Sequence, residues 1–467
     1  MEGANLGILT LIPVLLFFTL ALLTRKCIMS VIIAGTVGHI LYYQEDFFVP
    51  LVNTLLEGAS NADNNYIVII CLLFGCFVQL LRESKGAIAV GDLARRYVKS
   101  EKQVLFLTWL CGVIIFIDDY LSILVTANCA LTLSDQYKTP REMLCYIINT
   151  TSAPVCLIIP ISAWVVFFSG IFEQTPEAAV VGDSAMEIYY NIMPYFFYPF
   201  LCVLFVLLVI FGIVPKMGGM KKAYKRVEET GKLWPDSSDM QNQNEVAPEN
   251  ENEKDPKDGK EVKAHLWAFV VPMAVVIAGA LFLDDILYGV ILGIVACFVL
   301  FVPTRIMSFA KFCDACYKGL EDMLYIAAIL VVSLLYRQSI DLIGLPEYLI
   351  EVAGPYMSAA WLPAISFVII GLVCFATGNI WSIPAICTPI ILPIAAACGA
   401  SIPLTLGAII SAACFGAQAC FYSDVTLLSA SACKISNVDY AVAQLPYIGI
   451  VAGVSFIGYV AAGFLMI

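Results

Sequence analysis

Charge is what this sequence has least of. Only 13% of its 467 residues are Asp, Glu, Lys or Arg, against roughly 25% in an ordinary soluble domain. Together with a mean hydropathy of +0.88, that scarcity excludes a water-soluble globular chain. Histidine is nearly missing: His39 and His265 stand alone, too few for a zinc centre or a nucleophile–base pair. No basic stretch follows Met1, because Glu2 comes next, and no small-residue cleavage site follows Leu23. The first apolar run is therefore expected to stay as a helix rather than be removed as a signal peptide. Alternating ten-residue apolar segments, the mark of a transmembrane β-barrel, are absent too. A surplus of basic residues is also lacking. The net charge is −12, much of the acid sits in one polar stretch, and no nucleic-acid partner is expected.

What the chain does have is continuous apolar runs of roughly 16 to 25 residues, the length a helix needs to cross a bilayer. They fall at 6–23, 28–43, 66–81, 103–133, 143–172, 190–214, 266–283, 286–302, 323–336, 357–398, 404–433 and 442–467. The expectation is an all-α polytopic membrane protein. Most of the 17 cysteines, Cys71 and Cys374 among them, lie inside these runs and read as small hydrophobes rather than a disulfide framework. Cys313 and Cys316 form a lone CxxC for which neither a metal nor a redox role is expected.

A polar stretch, 216–265, divides the runs into comparable halves, 1–215 and 266–467. Its Asn, Glu, Lys and Pro bias predicts a disordered linker. The halves resemble each other: Pro13 matches Pro272, Ser122 matches Ser382 and Pro194 matches Pro446, in order and at nearly constant offset. Let the N-terminus lie outside, and let 103–133 and 357–398 be re-entrant hairpins. Every lysine and arginine except Arg337 then falls on the inner side, as the positive-inside rule requires. Each half has five crossings plus one hairpin, so the second repeat is inverted relative to the first. Both termini come out outside and the linker cytoplasmic, in a multi-pass protein of the cell membrane. Inverted repeats with interrupted helices describe secondary transporters whose site lies near the midplane. A channel would need a repeated carbonyl filter, which is lacking, and no catalytic residues are expected.

The interruptions locate the candidate site. Asp118–Asp119–Tyr120 breaks the first hairpin, with Ser122 just beyond. Asn149, Thr150, Thr151 and Ser152 break the fifth run ahead of Pro154. Thr377, Gly378, Asn379, Trp381 and Ser382 break the second hairpin, and Gln418, Ser423, Asp424 and Thr426 mark the break of the penultimate run. A carboxylate at a helix centre costs roughly 2.5–3.5 kcal/mol, so Asp118, Asp119 and Asp424 need a reason. One reason is a site for a transported sodium ion or proton; the other is that an Asp caps a half-helix. Asn149, Asn379 and Gln418 divide in the same way between liganding and backbone satisfaction. His39 reads as a packed, hydrogen-bonded residue, and Gly449 with Gly453 as a close helix contact.

At these residues the sequence resembles the NhaC-type sodium/proton antiporters of the ion-transporter superfamily. The resemblance rests on FIDDYLSILV, TTSAPVCLIIPISAW, GNIWSIPAICTPIILPIA and FYSDVTLLSASA, in both halves. It implies a scaffold, a mobile transport region, and hairpin tips and broken helices that hold the ion. It implies no cofactor, only transported Na+ and H+. Two departures stand out: Ala417–Gln418 replaces the family's Asp-His, and Asn149 replaces its Asp. The expected function is sodium/proton antiport, with sodium- or proton-coupled carriage of an amino acid or carboxylate as the alternative. The expected partners are the lipid bilayer and a small cation or small organic solute; the fold leaves a homodimer open.

Overall fold

The computed structural model describes residues 6–24, 26–60, 62–86, 98–239, 265–283, 285–353, 358–378, 380–421 and 423–466. All regular secondary structure among them is helical. The first half runs α1 (Leu11–Thr24), α2 (Cys27–Tyr43), α3 (Phe48–Ser60), α4 (Ala62–Glu83) and a hairpin of α5 (Glu101–Ile114) and α6 (Asp119–Gln136). A twice-broken helix follows, α7 (Arg141–Thr150), α8 (Ala153–Ile158) and α9 (Ala163–Glu173), then α10 (Ala185–Ile192) and α11 (Phe197–Phe211). After α12 (Gly218–Thr230), the second half runs α13 (Trp267–Leu283), α14 (Ile286–Phe301), α15 (Phe309–Leu342) and α16 (Leu345–Ala353). Its hairpin is α17 (Leu362–Thr377) and α18 (Ser382–Cys398), its broken helix α19 (Ile402–Ala419) and α20 (Asp424–Ala432), and α21 (Asn437–Leu465) ends the chain.

Helix starts are set locally. Ser100, Ser162, Ser308, Ser401 and Ser423 each accept a backbone N–H from the turn they cap, which satisfies a donor that no helical carbonyl can reach. Gly378, at φ +67°, closes α17 in the left-handed region and opens the second hairpin tip. The ends of the first hairpin meet, since the Tyr137 hydroxyl donates to the Val98 carbonyl at 3.2 Å. The long 103–133 run therefore turns back instead of crossing.

Helices Ile402–Ala419 and Asn437–Leu465 are each long and apolar enough to cross a bilayer. Two bent pairs are so together, Arg141–Ile158 with Ala163–Glu173 at 45° and Ala185–Tyr195 with Phe197–Phe211 at 52°; other apolar helices such as Ile286–Phe301 are shorter. Large apolar side chains including Leu204, Phe282, Leu372 and Ile457 are exposed, the surface a membrane protein gives to lipid. Packing falls into two groups. α4 and α15 cross and gather α2 and α14 around them, while α6 packs on α7 and α20, and α17, α19, α11 and α21 pack together. The α4–α15 crossing is close because it is made at glycine: a Cβ on Gly75 would lie 2.3 Å from the Gly319 carbonyl oxygen.

Two expectations are corrected. The polar stretch is not disordered from residue 216. α12 packs on α7 and α21, burying Met220, Ala223, Tyr224 and Val227, a helical spacing of apolar residues that the stretch's polar composition obscures. Residues 232–239 are tied down as well: Lys232 reaches Asp236 and Asp239, holding the Asp239 carboxyl below its ordinary range, and Ser238 accepts the Ser436 N–H at 2.9 Å. The rest of the stretch, 240–264, lies outside the described residues. The second correction concerns Gly449 and Gly453: a Cβ on either would meet nothing within 4 Å, so they make no close helix contact among the described residues.

Candidate functional site

The breaks converge as the sequence suggests, although not every residue at them faces the same space. Asp118 caps α6, its Oδ1 accepting the Leu121 N–H at 2.8 Å. The capping reading thus holds for Asp118, and Asp119 becomes the first residue of the helix. Asp424 takes the equivalent position at the start of α20, directly after its cap, Ser423. Both acids therefore sit in the first turn of a helix, where the positive end of the macrodipole favours a carboxylate. The Tyr120 hydroxyl donates to Asp424 Oδ2, joining the first hairpin to the broken helix of the other half. Asp119 is 2% exposed, and its Oδ2 has no hydrogen-bond partner among the described residues.

These tips form one wall of a cavity of about 690 Å³. Asp118, Asp119, Tyr120, Leu124, Ala163, Trp381, Asp424, Leu427 and Leu428 come from the tip side; the α4–α15 crossing supplies Gly75, Val78, Gln79, Arg82, Asp322 and Met323. An Arg82 Nη lies 3.7 Å from Asp118 and another 3.8 Å from Asp322, so the guanidinium bridges the two walls. Trp381 is held from behind by Trp164 and Phe167, with ring centroids 4.5 and 4.9 Å away.

The other candidates are placed beside the cavity rather than on it. Gln418 accepts the Tyr198 hydroxyl at 2.6 Å and donates to Thr150 Oγ1 at 2.8 Å. Asn149 donates to the Tyr440 hydroxyl at 2.6 Å, and Thr151 and Ser152 donate to carbonyls of their own turn. Ser122 donates to the Gly112 carbonyl at 3.4 Å inside the first hairpin. Ser382 is buried in the first turn of α18. Thr426 and Ser423 both donate to Ala417. Asn379 lies outside the described residues. His39 is buried and bonded to Gly35 and Thr54.

Ten lining residues lie outside the candidates that the sequence offers, and three of them bear on the site's chemistry or placement. Arg82, with the polar Gln79, closes an apolar run and reads from sequence as an inner-loop anchor. Asp322 stands just ahead of another run. Ala163 is positioned at the cavity by a further break, at 159–162. The two breaks share one contact: Ser162 Oγ donates to the carbonyl of Cys156 as Ser423 Oγ does to that of Ala417, each six residues back. Ala163 and Asp424 each follow the serine directly.

The model of the Na+/H+ antiporter family matches residues 155–464, a stretch that includes Asp424 and begins beyond Asp118 and Asp119. An uncharacterized protein of Haemophilus influenzae is 26% identical over 97% of this chain and 91% of its own length. Among solved structures, the Alcanivorax borkumensis YdaH transporter, described as having an unusual topology, is similar at 13% identity and a TM-score of 0.60, over 90% of each chain. Neisseria gonorrhoeae MtrF, described with a class of antimetabolite efflux pumps, gives 13% identity and a TM-score of 0.58, over 89% of this chain and 84% of its own. At that identity both likenesses speak for the fold alone.

Proposed function

Because this chain belongs to the Na+/H+ antiporter family, we propose that it exchanges sodium for protons by alternating access, with Asp119 and Asp424 as the ion-binding carboxylates. It is a membrane-embedded secondary transporter, not an enzyme. One observation carries the proposal: two acids, Asp119 buried and Asp424 partly buried, each in the first turn of a half-helix, open on one cavity between the hairpin tips and the α4–α15 crossing. A carboxylate at that depth is costly unless something neutralises it. A sodium ion or a proton does so, and the tip group crosses only when neutralised. Sodium and protons then compete for the same oxygens. In this reading both termini lie outside the cell membrane and 216–265 lies in the cytoplasm, which cysteine labelling at Lys221 and at Gln44 tests.

A second reading is favoured by the size of the cavity. About 690 Å³ lies within the 300–1,000 Å³ range of pockets that take organic ligands, far more than the cage of oxygens a bare cation needs. The alternative is a carrier in which sodium or a proton at the acids drives an organic solute. Proteoliposomes holding a pH-sensitive dye separate the two. Sodium pulses that move protons without any solute support antiport; proton movement that requires an added amino acid or carboxylate, or sodium-dependent uptake of that solute, supports the carrier. Absence of all three would overturn the assignment.

A further inference from the structure

The state of Arg82 narrows the solute. A guanidinium presents five N–H donors in a planar fork. In this cavity one of its groups donates to Gln79 Oε1 at 3.1 Å. The flanking carboxylates, at 3.7 and 3.8 Å, are within ion-pair range but beyond hydrogen-bond length. Its Nε–H is buried and has no acceptor among the described residues. A planar acceptor facing that fork would turn loose electrostatic contacts into a bidentate pair, the strongest form such an interaction takes.

The charge balance then limits what may carry that acceptor. Asp118, Asp119, Asp322 and Asp424 line the cavity against one guanidinium. A dicarboxylate would bring two more negative charges into an already acidic space. A simple amine would satisfy the acids and leave the Arg82 fork facing a second cation. A solute bearing one carboxylate and one ammonium meets both demands. The remaining wall, with Val78, Leu124, Met323, Trp381, Leu427 and Leu428, is apolar and asks for an apolar body between or beside the two charges.

We propose that the cavity binds a zwitterionic solute with an apolar body, an amino acid or small peptide in chemistry, whose carboxylate is held by Arg82 and whose ammonium is met by the flanking carboxylates of Asp118 and Asp322. Asp119 and Asp424 are left to the coupling ion. This inference rests on the carrier reading and names its substrate class.

Calorimetry on the purified full-length protein, in saturating sodium, tests it with L-leucine, L-phenylalanine and L-leucyl-L-phenylalanine. Controls are 3-phenylpropionate, which lacks the ammonium, 2-phenylethylamine, which lacks the carboxylate, and succinate. At least one zwitterion is expected to bind, with each control at least tenfold weaker. Arg82→Gln should weaken the zwitterion at least tenfold without weakening 2-phenylethylamine, and Arg82→Lys, which keeps the charge but loses the fork, should fall between. Succinate or 3-phenylpropionate binding as tightly as the best zwitterion, or no zwitterion binding at all, would overturn the inference. The control panel on the unmodified protein decides the matter even where an Arg82 variant fails to fold. Sodium-driven proton movement in the same preparation keeps the outcomes apart. Its presence without zwitterion binding leaves the antiport reading standing alone, while zwitterion binding without it removes the antiport reading and keeps this one.

Discussion

Two sets of paired charges in this molecule behave differently. On the side of the 216–239 segment, Arg226 meets Glu142 through two bonds of 2.8 and 2.9 Å, and Arg141 meets Asp135 at 2.8 and 3.3 Å while its guanidinium lies 4.5 Å over the Trp234 ring. In the cavity, Arg82 stays 3.7 and 3.8 Å from its carboxylates. Burial does not separate Arg82 and Asp118 from the first set. Side-chain exposure is 21% and 4% for Arg226 and Glu142, 2% and 28% for Arg141 and Asp135, and 27% and 3% for Arg82 and Asp118, while Asp322 alone is exposed, at 43%. What differs is satisfaction. The first set is closed by bidentate geometry and fastens α12 to the base of α7; the second keeps donor and acceptor capacity free. Charges that hold a fold together are saturated, and charges that await a cargo are not.

The comparison can be broken most forcefully at Glu142. Removing one member of a bidentate buried pair leaves the other uncompensated, so Glu142→Ala should cost about 3–5 kcal/mol, read as a lowered thermal-unfolding midpoint in detergent. A cost below about 1 kcal/mol would place the pair with ordinary surface bridges and end the contrast. A smaller effect sharpens the other side. Asp118→Ala removes both the α6 cap and the Arg82 contact, whereas Asp118→Asn keeps the cap and removes the charge. The alanine variant should lose about 0.5–2 kcal/mol more than the asparagine variant. Equal losses would mean that the tip is held by Arg82 and that its ion pair is structural after all. The smallest effect belongs to Gly453, where a methyl group meets open space. Gly453→Ala should change stability by no more than about 0.5 kcal/mol, and a larger loss would reveal a neighbour against that face.

The contrast also explains what was legible in the sequence. The helical fold, both hairpins and the breaks at Asp118–Asp119 and Ser423–Asp424 follow from long apolar runs interrupted by residues too polar for lipid. Arg82 was not legible, because a charge closing an apolar run looks like an inner-loop anchor until the α4–α15 crossing bends it back towards the tips. Gln418 and Asn149 sit at breaks like the acids, but only the packing shows that Gln418 is spent on Tyr198 and Thr150 and that the Asn149 amide donates to Tyr440, leaving its Oδ1 without a partner among the described residues. The 218–230 helix was hidden by composition: its outward face is so rich in lysine and glutamate that four inward apolar residues left no run to see.

The central claim is that the acids at the two half-helix starts bind the coupling ion. Its most direct measurement is sodium-driven proton flux in dye-loaded proteoliposomes across a range of pH, comparing the unmodified protein with Asp119→Asn, with organic solute present and absent. The expected result is that Asp119→Asn inserts and folds but loses at least tenfold of the sodium-dependent flux, and that in the unmodified protein the sodium concentration for half-maximal flux rises as pH falls, because protons occupy the same oxygens. Asp119→Asn transporting at the unmodified rate, with the same dependence on sodium and pH, would contradict the account.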